Sequence, residues 1–393
     1  MRILIISSLF RNPLEKSALP HLVDLVGELS KTDSVEVVSP IPWVPRALGA
    51  GGWARWSRIP RAYEYAGVRV RYPRYLVLPR RILYLLAGPM FLLALRRAVR
   101  GEDYDVLWAH YAYPDGWAAV RLGREMRRPA LVTVRGDDVR RDVDHLGVRT
   151  RVRQALREAT RVTSPHPETT ELARRLGASD VYTLHNGINL RRFAGGDGQR
   201  IRRELGLKDE WVVTFVGHLI EDKDPRTVVE AAARIPVSEN LVFLVVGGAG
   251  RGAEQTDLRA LARARGVEGR VRFLGSREDI PDILAASDCF LAINVVENIW
   301  ATALLEAMAA GVPCIVTKAG TTADHLRDRG QALLIEPRSP GELASAVLEL
   351  KRDATLGNSL REAGRELVQR EFDLASVARS ARRLLDSVAS KAR

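Results

Sequence analysis

The chain of 393 residues is poor in cysteine, lysine and long apolar runs. Two cysteines, Cys289 and Cys314, cannot build a disulfide framework. Each sits in an apolar run, as expected of a reduced, buried thiol in a cytosolic protein. The opening MRILIISSLF lacks signal-peptide anatomy, since its apolar part is short and no small-residue cleavage site follows. The longest apolar segment, residues 82–95, has 14 residues, whereas a membrane span needs about 20. No transmembrane helix is predicted. No repeat at a solenoid period is visible.

Lysine is scarce, but positive charge is not. Of 60 cationic residues only seven are lysines, and the formal net charge is +12. Almost all of that excess lies in residues 46–100, which hold twelve arginines against one acid, Glu64. Trp53, Trp56, Tyr63, Tyr65, Tyr72, Tyr75, Tyr84 and Phe91 are interleaved with them, and an apolar helix is expected over 83–95. Basic and aromatic residues beside an apolar helix suit an anionic membrane surface or a lipid-diphosphate ligand. The plainer reading is an arginine-rich surface over a buried helix. A nucleic-acid partner is not expected, because the segment carries no recognised binding motif.

Short β-branched runs alternate with amphipathic segments from end to end. Strands are predicted at 3–7, 35–38, 68–72, 106–109, 130–134, 162–164 and 181–184, then at 211–216, 241–246, 271–274, 289–293, 314–316 and 333–335. Helical patterns lie between them, as at 19–29, 115–126, 226–235, 256–265 and 301–310. Near-continuous apolar strands joined by helices imply parallel sheets covered on both faces. The alternation pauses at the Gly-rich stretch 194–198, which reads as a linker. The expected fold class is therefore α/β, with two doubly wound Rossmann-like domains facing across a cleft and binding ligands at the carboxyl ends of their strands. The expected boundaries are 1–190, 191–371 and a C-terminal helix at 372–393 that crosses back to the N-terminal domain.

Several motifs sit at those strand ends. Val295 to Val316 reads strand end, loop, then a helix from about Ala301 that stops at Gly311 and Pro313. A helix N-terminus just past a strand end is a ready anion site. Gly217-His218-Leu219-Ile220-Glu221-Asp222-Lys223 follows the 211–216 strand. Gly247 to Gly250 and Gly275-Ser276-Arg277 follow the next two. In the first half, His110 ends the 106–109 strand, and Thr133-Val134-Arg135-Gly136-Asp137-Asp138 ends another.

These motifs resemble those of glycosyltransferase family 4, retaining enzymes of the GT-B fold. Leu304-Leu305-Glu306-Ala307-Met308-Ala309-Ala310-Gly311-Val312-Pro313 matches the family's LLEAMAxGxP segment closely. The family's earlier acidic residue is replaced by Asn298, with Glu297 one position early; either would contact the sugar. His218 and Lys223 stand where the family has Arg and Lys on the donor diphosphate, and Arg135 replaces a family His. Asp137-Asp138 lacks the spacing of a metal-binding D-x-D motif.

The resemblance implies a sugar transfer with retention from a nucleotide-sugar to an acceptor, one carried on a lipid or a polysaccharide precursor. It implies an acceptor-binding domain over 1–190 and a nucleotide-sugar-binding domain over 191–371. It implies His110, Lys223 and Glu306 as catalytic residues. It implies donor contacts from Gly217, His218, Gly275, Ser276, Arg277, Asn298, Ile299, Trp300 and Ala301, and acceptor-side contacts from Arg135 and Asp138. No cofactor and no metal are expected, and the location implied is the cytoplasm or the inner membrane face. Two alternatives remain open at this point. One is a nucleotide-sugar epimerase or hydrolase, which needs no acceptor. The other is a non-catalytic nucleotide-sugar or lipid-binding module of the same fold.

Overall fold

The computed structural model describes residues 1–14, 19–43, 56–65, 67–77, 84–140, 142–145, 147–248, 254–296, 301–319 and 325–390. The chain forms two compact units. Unit 1 comprises Met1–Gly187 together with the segment from Leu374 onward, and unit 2 is Ile188–Asp373.

The strands of unit 1 are β1 (Arg2–Ile6), β2 (Ser34–Val38), β3 (Ile41–Trp43), β4 (Ala62–Tyr65), β5 (Val68–Arg71), β6 (Arg74–Leu76), β7 (Val106–His110), β8 (Ala130–Thr133), β9 (Arg161–Ser164) and β10 (Val181–Thr183). Eight of them form one sheet in the order β10-β9-β8-β7-β1-β2-β5-β4. Neighbours are parallel except β4, which runs antiparallel to β5. A separate parallel pair joins β3 to β6. Ile3, Leu4, Ile5 and Ile6 of β1 have no exposed surface, so this strand is buried on both faces. Strand order reverses between β1 and β7, which makes their carboxyl ends the switch point of this sheet.

The C-terminal helix Leu374–Ser390 belongs to unit 1. It buries Leu374, Val377, Ala378, Ala381, Leu384, Leu385 and Val388, a three-to-four spacing that gives one apolar stripe. That stripe packs on the helix Pro20–Leu29 and the β1 side of the sheet. Arg382 Nε lies 2.6 Å from buried Asp33, which also accepts from the N-terminal ammonium at 2.7 Å.

Unit 2 has β11 (Trp211–Val216), β12 (Leu241–Val246), β13 (Val271–Gly275), β14 (Cys289–Ala292), β15 (Cys314–Thr317) and β16 (Leu333–Ile335). They form an all-parallel sheet in the order β13-β12-β11-β14-β15-β16. Its switch point lies between β11 and β14. Cys289 and Cys314 are buried on these strands as free thiols.

Two local expectations are revised. The Gly-rich stretch 194–198 belongs to unit 2, where Gly196 and Gly198 pack against the helix Ile280–Ala285. A Cβ on Gly196 would lie 2.2 Å from the Pro281 carbonyl oxygen, so the backbone itself fills that contact. The apolar helix of the basic segment spans Ala87–Ala98 and buries Phe91, Leu92, Ala94 and Leu95 in the core of unit 1. Part of the basic excess is spent internally. Arg71 pairs with Glu36 at 2.6 Å and bonds the Tyr104 hydroxyl at 2.8 Å. Arg74 donates to the Ile59 carbonyl, and Arg96 pairs with Glu125. Arg46, Arg55, Arg80 and Arg81 lie outside the described residues.

Candidate active site

In unit 2 three strand ends converge on one amine. Lys223 closes a short turn, Glu221–Lys223, that follows β11. Its Nζ donates to Asn294 Oδ1 at 2.9 Å. Asn294 follows β14 and is held in turn by β15: its N–H donates to Thr317 Oγ1, which donates back to the Asn294 carbonyl, both at 2.8 Å. The Val295 N–H ties to the Asp222 carbonyl at 3.0 Å, closing the loop around the lysine. Thus Lys223 spans the switch point of its own sheet. Among the described residues it makes no ion pair. An ammonium has three donors, and one goes to Asn294. Burial pulls its pKa down to about 8, against a smaller opposing pull from Asp222. The group remains largely cationic at neutral pH, partly desolvated and short of a counterion, which is how a site awaiting an anion is built.

The floor beside it is glycine backbone. Gly217, Gly247 and Gly275 end β11, β12 and β13, and their backbones interlock. The Gly217 N–H donates to the Val246 carbonyl at 3.0 Å, and the Gly247 N–H to the Gly275 carbonyl at 2.8 Å. Gly247 has φ 150°, and a Cβ there would fall 1.8 Å from the Gly217 carbonyl oxygen. Only glycine fits. His218 is exposed in the loop above. Ser276 is exposed and close to Gly248. Arg277 is already spent: it grips Glu204 at 2.6 and 3.0 Å and Asp279 at 2.8 and 2.7 Å, so its hydrogen bonds go to carboxylates.

The helix Thr302–Ala310 begins at Ala301, whose side chain offers no cap to the first-turn N–H groups. It buries Leu304, Leu305, Ala307, Met308 and Ala309, and Glu306 is its single ionisable side chain, half-buried. The helix ends at Gly311, φ 74°, as a left-handed C-cap. Glu297, Asn298, Ile299 and Trp300 lie outside the described residues, as does the loop 320–324.

Unit 1 carries a second constellation at its strand ends. His110, the last residue of β7, has no exposed surface. Its Nδ1 lies 2.7 Å from a terminal nitrogen of Arg135. The other terminal nitrogen of Arg135 donates to Asn186 Oδ1 at 2.6 Å and lies 3.0 Å from His21 Nε2. Burial lowers the Arg135 pKa to about 10, which still leaves a cation at neutral pH. Burial first, then Arg135, pushes His110 well below the usual histidine value. His166, after β9, is lowered to about 3, mostly by burial. His185, after β10, bonds the Pro165 carbonyl at 2.9 Å.

Asp138 is fully buried and accepts the N–H groups of Arg135 and Gly136 at 2.9 Å and of Ala112 at 2.7 Å. Its carboxylate shapes the loop that presents Arg135. Asp115 accepts the backbone N–H and the hydroxyl of Ser8, bridging the loops after β7 and β1 across the switch point. Sequence reasoning singled out His110, Arg135 and Asp138 but passed over His21, His166, Asp115 and Asn294. His166 and Asn294 stand just past predicted strands, so the rule that selected His110 reaches them too. His21 enters from a helix and gives no such signal.

Comparison with known proteins places both halves. Residues 197–367 match the family model for glycosyl transferases group 1, and residues 20–187 match the glycosyl transferase 4-like domain. The N-acetyl-alpha-D-glucosaminyl L-malate synthase of Bacillus anthracis is 28% identical over 69% of this chain and 71% of its own. The putative teichuronic acid biosynthesis glycosyltransferase TuaC of Bacillus subtilis is 26% identical over 97% of each. An Escherichia coli UDP-Gal:alpha-D-GlcNAc-diphosphoundecaprenol alpha-1,3-galactosyltransferase is 29% identical over 70% of this chain and 74% of its own. Among solved structures, Anabaena HepE in complex with UDP-glucose superposes with a TM-score of 0.76 at 19% identity, covering 98% of this chain and 100% of that one. This last likeness carries the fold, which is that of the GT-B glycosyltransferases.

Proposed function

The chain belongs to the GT4-like glycosyltransferases of the GT-B type, and on that premise we propose that it moves a sugar, with retention, from a nucleoside-diphosphate sugar to a saccharide acceptor of cell-envelope synthesis carried on a lipid. The observation that carries this reading is Lys223, a buried cation at the switch point of unit 2 that bonds Asn294 and makes no ion pair among the described residues. Fixed positive charge aimed at a departing diphosphate is usually a leading catalytic contribution. In this reading that charge comes from Lys223 and the N–H groups after Ala301, with His218 in reach of phosphate and no metal required. Glu306 accepts the two ribose hydroxyls. UDP-glucose is the first donor to try, because a neighbour of the same fold was crystallised with it. The lipid-linked acceptor is supported by the E. coli relative, whose name specifies a diphosphoundecaprenol substrate. Engagement of an anionic membrane by the exposed arginines of 46–100 belongs to the same proposal.

The experiment is a transfer assay with UDP-sugars and lipid-diphosphate-linked saccharides, the product's anomeric configuration being read by NMR. An α-linked product from an α-donor is expected. A β-linked product overturns the retaining mechanism, and acceptor-free conversion of the donor points to an epimerase or hydrolase instead.

A further inference from the structure

The contacts of Arg135 determine where the protons of two histidines sit. A guanidinium carries only donors and accepts nothing. Any imidazole nitrogen facing it at hydrogen-bond distance is therefore the bare one. At His110 that nitrogen is Nδ1, 2.7 Å away. At His21 it is Nε2, 3.0 Å away. A neutral imidazole has a single N–H, so His110 carries its proton on Nε2 and His21 on Nδ1. These two atoms, His110 Nε2 and His21 Nδ1, are buried and find no partner among the described residues. A buried donor left unpaired costs free energy, so each is a donor awaiting an acceptor.

The surroundings hold this state firmly. Trp108 lies against the His110 ring, centroids 5.0 Å apart, and its own N–H is occupied by Thr133 at 2.7 Å. Asn186 fixes the far side of the guanidinium, and Asp138 fixes the backbone that carries it. A cavity of about 10 Å³ opens among His21, Trp108, His110, Thr133, Arg135 and Asn186, room for one water-sized group.

We propose that Arg135 is a positioning residue for the transfer reaction, locking His110 as a neutral Nε2–H donor to a hydroxyl oxygen of the bound substrate. The proposal rests on the glycosyltransferase reading for its substrate, not for its tautomer. It gives His110 a defined chemical limit. With Nε2 already protonated and Nδ1 facing a cation, the ring cannot act as a general base. The titratable groups facing it, Arg135 and His21, both oppose protonation, so it is not a general acid near neutral pH either. Arg135 thus turns a titratable side chain into a fixed hydrogen-bond donor.

The test is long-range ¹⁵N–¹H correlation on full-length protein labelled at histidine, with His110→Gln assigning the signals. The expected spectrum has His110 Nε2 protonated and Nδ1 bare, unchanged between about pH 5 and 8, the window in which an ordinary histidine titrates. A proton on Nδ1, or titration inside that window, overturns the proposal. Arg135→Met is expected to lower kcat about 10²-fold, the loss of one preorganised donor, with KM for the donor sugar little changed. It should also move the His110 titration toward higher pH, though burial keeps it below the ordinary histidine value. Arg135→Lys, which keeps a cationic donor, should restore part of the rate. Full activity and an unmoved pH profile in Arg135→Met overturn the positioning role. A protein with the stated tautomer that turns over no nucleotide-sugar overturns the glycosyltransferase reading and the donor role with it. The opposite tautomer in an active enzyme overturns this proposal alone.

Discussion

Single residues at strand ends carry most of the proposed chemistry, and Asp115 shows how one can be tested apart from activity. It is fully buried, and burial raises its pKa from 3.8 to about 7 despite two hydrogen bonds from Ser8. The folded state therefore holds the proton more tightly than the unfolded chain does. That contribution to stability is complete below about pH 4 and is lost as pH rises through about 7. Asp115→Asn keeps the shape and removes the charge. The wild-type melting temperature is expected to fall relative to this variant as pH rises across that window, and parallel pH profiles would contradict it. His110 was singled out in the sequence because it stands at the carboxyl end of an apolar run, and Lys223 because its motif resembles that of glycosyltransferase family 4. The spent state of Arg277 was not legible. Its partners Glu204 and Asp279 are set by packing between a helix and a loop, which no local pattern encodes.

Among the elements of unit 2, the carboxyl ends of β11, β12 and β13 form a seam of glycine backbone. Gly247→Ala would place a Cβ on the Gly217 carbonyl oxygen at a backbone angle that side chains avoid. We expect it to cost more than about 2 kcal/mol of stability and to abolish nucleotide binding, read by thermal melts with and without UDP. Wild-type melting and binding would contradict the account of the seam. The parallel strands were readable because their runs are apolar on both faces, and the helices because their stripes repeat at three and four residues. The edge strand β4 and the pair β3–β6 were not. Their residues are half-exposed and lack either period, so only the contacts of the folded chain define them.

For the whole molecule, the chain path has a consequence. Unit 1 is discontinuous, because it recruits Leu374–Ser390 after unit 2 is complete. A chain ending at Asp373 would leave the apolar surface under seven buried side chains uncovered. Such a truncation is expected to make unit 1 protease-sensitive while residues 188–373 survive as a fragment identifiable by mass. Equal sensitivity of both units would contradict this division. The two-domain plan was legible from the pause in strand–helix alternation, but glycine content alone misplaced the connection. The stretch 194–198 is glycine-rich for close packing against the 280–285 helix, not for freedom. The charge excess of 46–100 likewise splits on inspection. Arg69, Arg71 and Arg96 form ion pairs and Arg74 bonds carbonyls, whereas Arg58, Arg61, Arg97 and Arg100 are exposed.

The proposed contact of Lys223 with the diphosphate of a nucleotide-sugar is tested by the turnover of Lys223→Ala, folded by its melting temperature, on the donor that the wild type uses. A loss of about 10²-fold or more in kcat is expected, as removal of a leading electrostatic group produces. Turnover within about twofold of wild type, well inside the effect of losing one such group, would contradict it.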